Sequence, residues 1–226
     1  MKTDEIAGPL PLTNRETCIV LALLPFCIVD DFLLGNLIAG INEYVLTDYA
    51  KKALLIVGCL STAPLRALVR RSFAAPDLPW HGAGWLNIHV LLFLAFLLLS
   101  GMLLHGTVLY LSFRLDLPAI AEIPRYNDDI VMYVDLMLGL LLNAVAEEMF
   151  FRAVLIAVIC RYVPSVGVGI LIAALLFAAG HWSQGIVGTG AIVMFGVLYG
   201  YAYCLTRSIM LPILAHYIHN LFIFAP

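Results

Sequence analysis

The residues that could do chemistry fall into three short clusters in the C-terminal part of the chain. From Ile130 to Pro226 the charged residues are Asp135, Glu147, Glu148, Arg152, Arg161 and Arg207. Arg161 and Arg207 stand at the ends of apolar segments, whereas the other four are embedded in them. A charge at the bilayer centre costs roughly 2.5–3.5 kcal/mol even on the lenient insertion scale, so embedded charges need partners or a task. The first cluster is Glu147-Glu148-Met149-Phe150-Phe151-Arg152. Glu148 and Arg152 are four residues apart, share a helix face and can pair. Glu147 is turned about 100° away on the helix and has no local cation on its own face. A buried carboxylate of this kind suits a general base. The alternative is a structural ion-pair cluster in which another helix satisfies Glu147.

The second cluster is Phe177-Ala178-Ala179-Gly180-His181, at the end of an uncharged helix, and the third is His216-Tyr217-Ile218-His219-Asn220. Taken alone, His181 reads equally as an interfacial histidine beside Trp182, and His216 with Asn220 as an interhelical hydrogen-bonding pair. His89, His105, Asp135 and the pair Asp30/Asp31 are expected to be packing, vestibule or interface residues. Together the three clusters offer a carboxylate, two imidazoles and an amide on separate helices. That set can hold and activate a water and stabilise an oxyanion. Glu147 lies 14 residues before Arg161, His181 lies 16 after Ser165, and His216 and Asn220 lie 9 and 13 after Arg207. Those offsets differ by about 10 Å of helix rise, which tilt and side-chain length can close.

The elements that must position these groups are apolar helices. The chain has 226 residues, a net charge of −3, 63% hydrophobic residues and 12% charged residues. Soluble domains have roughly 45–50% and 25%, respectively. This composition excludes disorder, a basic nucleic-acid-binding face and most soluble folds, and lipid is the expected solvent. Candidate spans are 17–40, 49–70, 86–113, 129–162, 165–182, 186–206 and 209–224, with 129–162 long enough to be either one helix or two. The expected fold is all-α, a polytopic transmembrane bundle of about seven to eight helices. Residues 1–128 carry no recognised motif, and residues 129–226 form the expected catalytic core. Arg66/Arg70/Arg71, Arg161 and Arg207 are expected on one side of the membrane. Trp85 and Trp182 are expected at the interfaces. The five cysteines, with no Cys-x-x-Cys spacing, are expected in the core or facing lipid.

The order Glu-Glu-x-x-x-Arg, Phe-x-x-x-His, His-x-x-x-Asn, over roughly residues 130–224, resembles the CPBP intramembrane endopeptidases (CAAX proteases and bacteriocin-processing, or Abi, proteins). The frequent Phe-Arg-Gly of that family is Phe151-Arg152-Ala153 here. The resemblance implies hydrolysis of a peptide bond in a membrane-associated protein, prenylated or C-terminally sorted. By the same resemblance Glu147 is the base, His181 helps it hold the water, His216 and Asn220 stabilise the oxyanion, and Glu148 with Arg152 orients Glu147. The family is often labelled a metalloprotease. No His-Glu-x-x-His occurs, and the favoured reading needs no cofactor, yet a zinc site from Glu147, His181 and His216 would satisfy the usual ligand count. Expected partners are a membrane-protein or lipidated-peptide substrate and membrane lipids, with no nucleic acid. The expected location is a bacterial inner membrane. The rival readings are a non-catalytic immunity or scaffold protein of the same family and a metal or proton carrier.

Overall fold

The computed structural model describes residues 12–29, 41–74, 76–78, 82–83, 87–117, 119 and 129–225. Asp30, Asp31 and Trp85 lie outside the described residues. The described chain forms eight helices: α1 (Asn14–Ile28), α2 (Ile41–Cys59), α3 (Ala63–Ser72), α4 (Ile88–Leu115), α5 (Asp129–Cys160), α6 (Val166–Ala179), α7 (Gly185–Thr206) and α8 (Met210–Phe224). A two-residue antiparallel pairing, Asp77–Leu78 with Gly82–Ala83, lies between α3 and α4. Among the described residues, three helices are long and apolar enough to cross a membrane, or four if α2 and α3 count as one broken span. Helices α6 and α8, of 14 and 15 residues, are apolar but shorter than the roughly 20 residues of a full span.

One expectation about an element changes, and one that was open is resolved. The stretch 49–70 is not one straight helix. α2 ends at Cys59, and the chain turns by 106° into α3. The Thr62 side chain caps α3 by accepting from the Leu65 N–H, and Pro64 occupies the first helical turn, where its missing N–H costs nothing. α3 is amphipathic, burying Leu65, Leu68 and Val69 while Arg66 and Arg70 stay out of the core. The stretch 129–162 resolves as one continuous helix, α5, with π-helical turns at Asp135–Gly139 and Met149–Leu155. Such widened turns recur at functional sites, and these two bracket the Glu147-Glu148 pair.

α5 is the axis of the bundle. Every residue from Ala146 to Val158 is buried. Its C-terminal end is tied to α1 through Arg161, which donates to Asn14 Oδ1 (3.0 Å) and Thr17 Oγ1 (3.3 Å). α6 and α7 pack antiparallel at close range. A Cβ on Gly196 would sit 2.7 Å from Ala174 Cβ, and one on Gly200 would sit 2.7 Å from Ile170 Cγ2. Small residues permit this approach, the usual packing device where lipid supplies no hydrophobic drive between helices. The antiparallel register puts the start of α6, beside Arg161, at the same end as Arg207. Ile209 N–H donates to the Ser72 carbonyl (2.8 Å) and the Ser208 hydroxyl to the Ala74 carbonyl (2.6 Å), which brings Arg70 and Arg71 to that end as well. The three basic clusters therefore share one end of the bundle.

Candidate active site

The opposite end holds a cavity of about 380 Å³. It is lined by the first turns of α2 (Val45, Asp48), the first half of α5 (Asp135 to Glu147), the end of α6 (Phe177, Gly180, His181) and the first half of α7 as far as Tyr199. His105 and Leu109 of α4 and His216, His219, Asn220 and Phe224 of α8 complete the wall. Glu147, His181, His216 and Asn220, which the sequence placed on three helices, all line it.

The embedded charges are paired. Arg152 Nε lies 2.9 Å from Glu148 Oε2, and both residues are fully buried. The guanidinium also stacks 4.6 Å above the Phe177 ring, an arrangement that suits a planar cation in a dry site. His216 Nδ1 is 2.9 Å from the other oxygen, Glu148 Oε1. An ionised carboxylate only accepts, so His216 donates through Nδ1 and turns Nε2 toward Glu147. Nε2 stands 3.8 Å from Glu147 Oε2. Glu148 thus holds a cation with one oxygen and an imidazole with the other.

Glu147 departs from the sequence reading in one respect. It has no cation on its own face of α5, yet Lys52 of α2 donates to Glu147 Oε1 at 2.7 Å and lies 3.6 Å from Asp48 Oδ1. Another helix therefore does satisfy one oxygen of Glu147, as the structural alternative supposed. The second oxygen, Oε2, is buried and has no hydrogen-bond partner among the described residues. Asn143 Oδ1, Tyr199 OH and His219 Nε2, on residues that line the same cavity, are likewise buried and unpartnered. Leaving such groups unsatisfied costs about 1–3 kcal/mol each, so the cavity is built to receive polar atoms.

Phe177 connects the three clusters. Its ring contacts the rings of His181 (centroids 4.8 Å apart) and His216 (6.3 Å), and its carbonyl accepts from His181 Nδ1 at 3.0 Å. Gly180 lets the α6 end close against α1, because a Cβ there would collide with the Cys27 carbonyl oxygen. Asp135 is satisfied by the Tyr49 hydroxyl, which donates to Oδ1 at 2.6 Å. His105, expected only as a packing or vestibule residue, lines the cavity with its ring 6.0 Å from that of His219.

The zinc alternative can be tested against these contacts. Among the described residues no three His, Cys, Asp or Glu side chains converge as a metal site. His216 directs one nitrogen to Glu148, His181 commits Nδ1 to a carbonyl, and Lys52 occupies Glu147 Oε1. Each still keeps one ligating atom, Glu147 Oε2, His181 Nε2 and His216 Nε2, with the Nδ1 contacts that zinc-bound histidines also make. What does not fit zinc is that these side chains do not converge as arranged.

Residues 130–222 match the family Type II CAAX prenyl endopeptidase Rce1-like. This segment is an Rce1-like domain. No curated protein and no solved structure matches the chain. The Rce1-like family is one of peptidases, and with the apolar helices it points to an integral, multi-pass membrane protein. The matched stretch takes in α5 from Ile130 onward, α6, α7 and most of α8. All three sequence clusters lie inside the Rce1-like domain, whereas Asp48, Tyr49, Lys52 and His105 lie outside it. Lys52 is the site neighbour that the sequence reading missed. One signal was present: a lysine mid-segment in an apolar helix, four residues after an aspartate. The rule that an embedded charge needs a partner applied to it as it did to Glu147.

Proposed function

We propose that the chain is an intramembrane endopeptidase in which Glu147 activates water without a metal. The observation that carries this reading is the buried, unpartnered Glu147 Oε2, facing His216 Nε2 across 3.8 Å at the polar floor of the cavity. A gap of that size between two polar atoms is one that a water can bridge. Glu147 Oε2 takes a proton from the water, which His181 helps to hold, and the water oxygen adds to the scissile carbonyl carbon. The oxyanion is met by the Asn220 amide and, when His216 is protonated, by its Nε2–H, with Glu148 compensating the imidazolium charge through Nδ1–H. The C–N bond then breaks as the proton held by Glu147 passes to the leaving amine. Glu148 acts on His216 as the buried aspartate of a serine-protease triad acts on its histidine, fixing its orientation.

The substrate we propose is a membrane-associated, lipidated peptide. Val108 and Leu109 of α4, with Ile223 and Phe224 of α8, form an apolar wall beside the polar floor, which suits an amphiphilic chain. A bacterial inner-membrane location belongs to this proposal and is checked by membrane fractionation. The non-catalytic reading would not require buried polar atoms left open toward a cavity.

The test is to incubate the purified protein with a panel of prenylated and unprenylated membrane peptides and to identify products by mass spectrometry. The wild type should cleave a lipidated peptide at one bond, and Glu147→Gln should not. Equal cleavage by Glu147→Gln overturns the assignment of the base. Loss of wild-type cleavage to a chelator, with return on adding zinc, overturns the metal-free mechanism.

A further inference from the structure

We propose that Lys52 is a positioning residue that selects which oxygen of Glu147 acts as the base. This rests on the reading of Glu147 given above and adds to it a residue from outside the Rce1-like domain. Lys52 is 2% exposed, and its ammonium is held between two carboxylates, Glu147 Oε1 at 2.7 Å and Asp48 Oδ1 at 3.6 Å. Asp48 stands four residues before it on α2, the better order for a helical ion pair. Lys52 is absent from the lining of the large cavity and reaches Glu147 from a small separate recess that also touches Cys27 and Gly180. It therefore approaches the carboxylate from the side away from the substrate space. The consequence is geometric. A carboxylate with both oxygens free can rotate about its last bond and present either one. With Oε1 fixed by a charge-assisted hydrogen bond, only Oε2 is left for water, on the side where His216 stands.

The placement of α2 supports this. One residue after Asp48, the Tyr49 hydroxyl donates to Asp135 of α5 at 2.6 Å. A Cβ on Gly139 of α5 would strike that hydroxyl and Asp135 Oδ1. α2 is thus docked on α5 two helical turns from Glu147 by a second polar contact in a close-packed spot, which sets the register that delivers Lys52. Charge neutralisation alone would be met by a cation on either oxygen. Positioning requires this one.

The experiment compares Lys52→Met and Lys52→Arg with the wild type and with Glu147→Gln, using the lipidated peptide that the wild type cleaves. Losing the orientation of a reacting group costs on the order of 10²-fold, so Lys52→Met should lower kcat by about that factor, with KM unchanged. Lys52→Arg keeps the charge but offers a planar fork in place of a point donor, so it should recover part of the kcat and retain the fold. If Lys52→Met fails to fold, Lys52→Arg carries the test. Wild-type kcat in Lys52→Arg, or in a folded Lys52→Met, overturns the proposal, as does a change confined to KM. The two readings fail separately. Full activity in Glu147→Gln removes the base itself, whereas an inactive Glu147→Gln beside a fully active Lys52→Met removes only the role of Lys52. A measurement independent of cleavage is the infrared carboxylate band isolated by subtracting Glu147→Gln from the wild type. It should shift when the same subtraction is made in the Lys52→Met background, and an unmoved band overturns the contact.

Discussion

Helices α4 and α5 are both long and apolar enough to cross a membrane, and they are built for opposite surroundings. α4 buries only Val90, Leu97 and Gly101, and it exposes Leu103 at 74% and Phe113 at 85%. From Ile88 to Phe113 it has no Asp, Glu, Lys or Arg. α5 is buried without a break from Ala146 to Val158, and that stretch holds two glutamates and an arginine. The half of α5 that carries Glu147, Glu148 and Arg152 is the stretch the protein surrounds, and the charge-free stretch of α4 is the one left for lipid. The reason is the cost of an ion in hydrocarbon, which protein partners offset and lipid does not. In a chain of this composition, hydropathy therefore finds the periphery, and the rare charges find the centre.

The comparison is broken most directly at Glu147. General base catalysis contributes roughly 10²–10⁴-fold, so Glu147→Gln should lower kcat by that factor. Its stability should fall less than that of Arg152→Ala, because Lys52 keeps Asp48 as a partner. A kcat within twofold of wild type would show that the buried charges of α5 serve structure alone.

Arg152→Ala comes next. Removing one partner of a buried ion pair costs about 3–5 kcal/mol, chiefly by stranding the other charge. Glu148 would keep only His216, and the Phe177 ring would lose the guanidinium stacked on it. The double variant Glu148→Gln with Arg152→Gln should be more stable than either single variant. Thermal unfolding in detergent, arranged as a double-mutant cycle, measures the coupling, and simple additivity would mean that the two residues do not act as a pair. Gly180→Ala should have a smaller effect. The new methyl group meets a backbone carbonyl of α1, which cannot swing aside as a side chain would, and overpacking of this kind typically costs 1–3 kcal/mol. An unchanged melting temperature would show that α1 is free to withdraw from the site.

The same contrast explains what the sequence could reveal. The spans 86–113, 186–206 and 209–224 lie within a few residues of α4, α7 and α8, because long charge-free runs leave little freedom in where a helix begins and ends. The three clusters stood out because each sets polar groups in an apolar background, and the structure brings their side chains to one cavity. The pairing of Glu148 with Arg152 was legible because both partners sit on one helix at a fixed spacing. The pairing of Glu147 with Lys52 was not, since 95 residues separate them and only the tertiary packing of α2 on α5 joins them. Asp135 shows the same limit, because its partner is the hydroxyl of Tyr49, an uncharged group that nothing in the local spacing marks. The break after Cys59 was readable in principle. Ser61-Thr62 followed by Pro64 is a helix-start signal, but the apolar count across 49–70 outweighed it.

The smallest expected effect sharpens the comparison by pairing two leucines. Leu155 of α5 is 2% exposed, in the main core, and Leu103 of α4 is 74% exposed. Truncating a buried leucine removes its packing and leaves a cavity, so Leu155→Ala should cost about 2–5 kcal/mol. Leu103 has no protein wall around it among the described residues. Detergent or lipid tails fill the space left by the truncation, and the change in apolar contact is nearly the same before and after unfolding within the micelle. Leu103→Ala should therefore fall within about 0.5 kcal/mol of wild type, the usual range for positions away from packed features. Thermal unfolding of both variants in the same detergent measures the difference. If Leu103→Ala costs more than 1 kcal/mol, α4 is covered by something other than lipid. Repeating the measurement across protein concentrations then identifies the cover. A loss that grows on dilution points to a second copy of the chain against α4, whereas a concentration-independent loss points to a segment of the same chain.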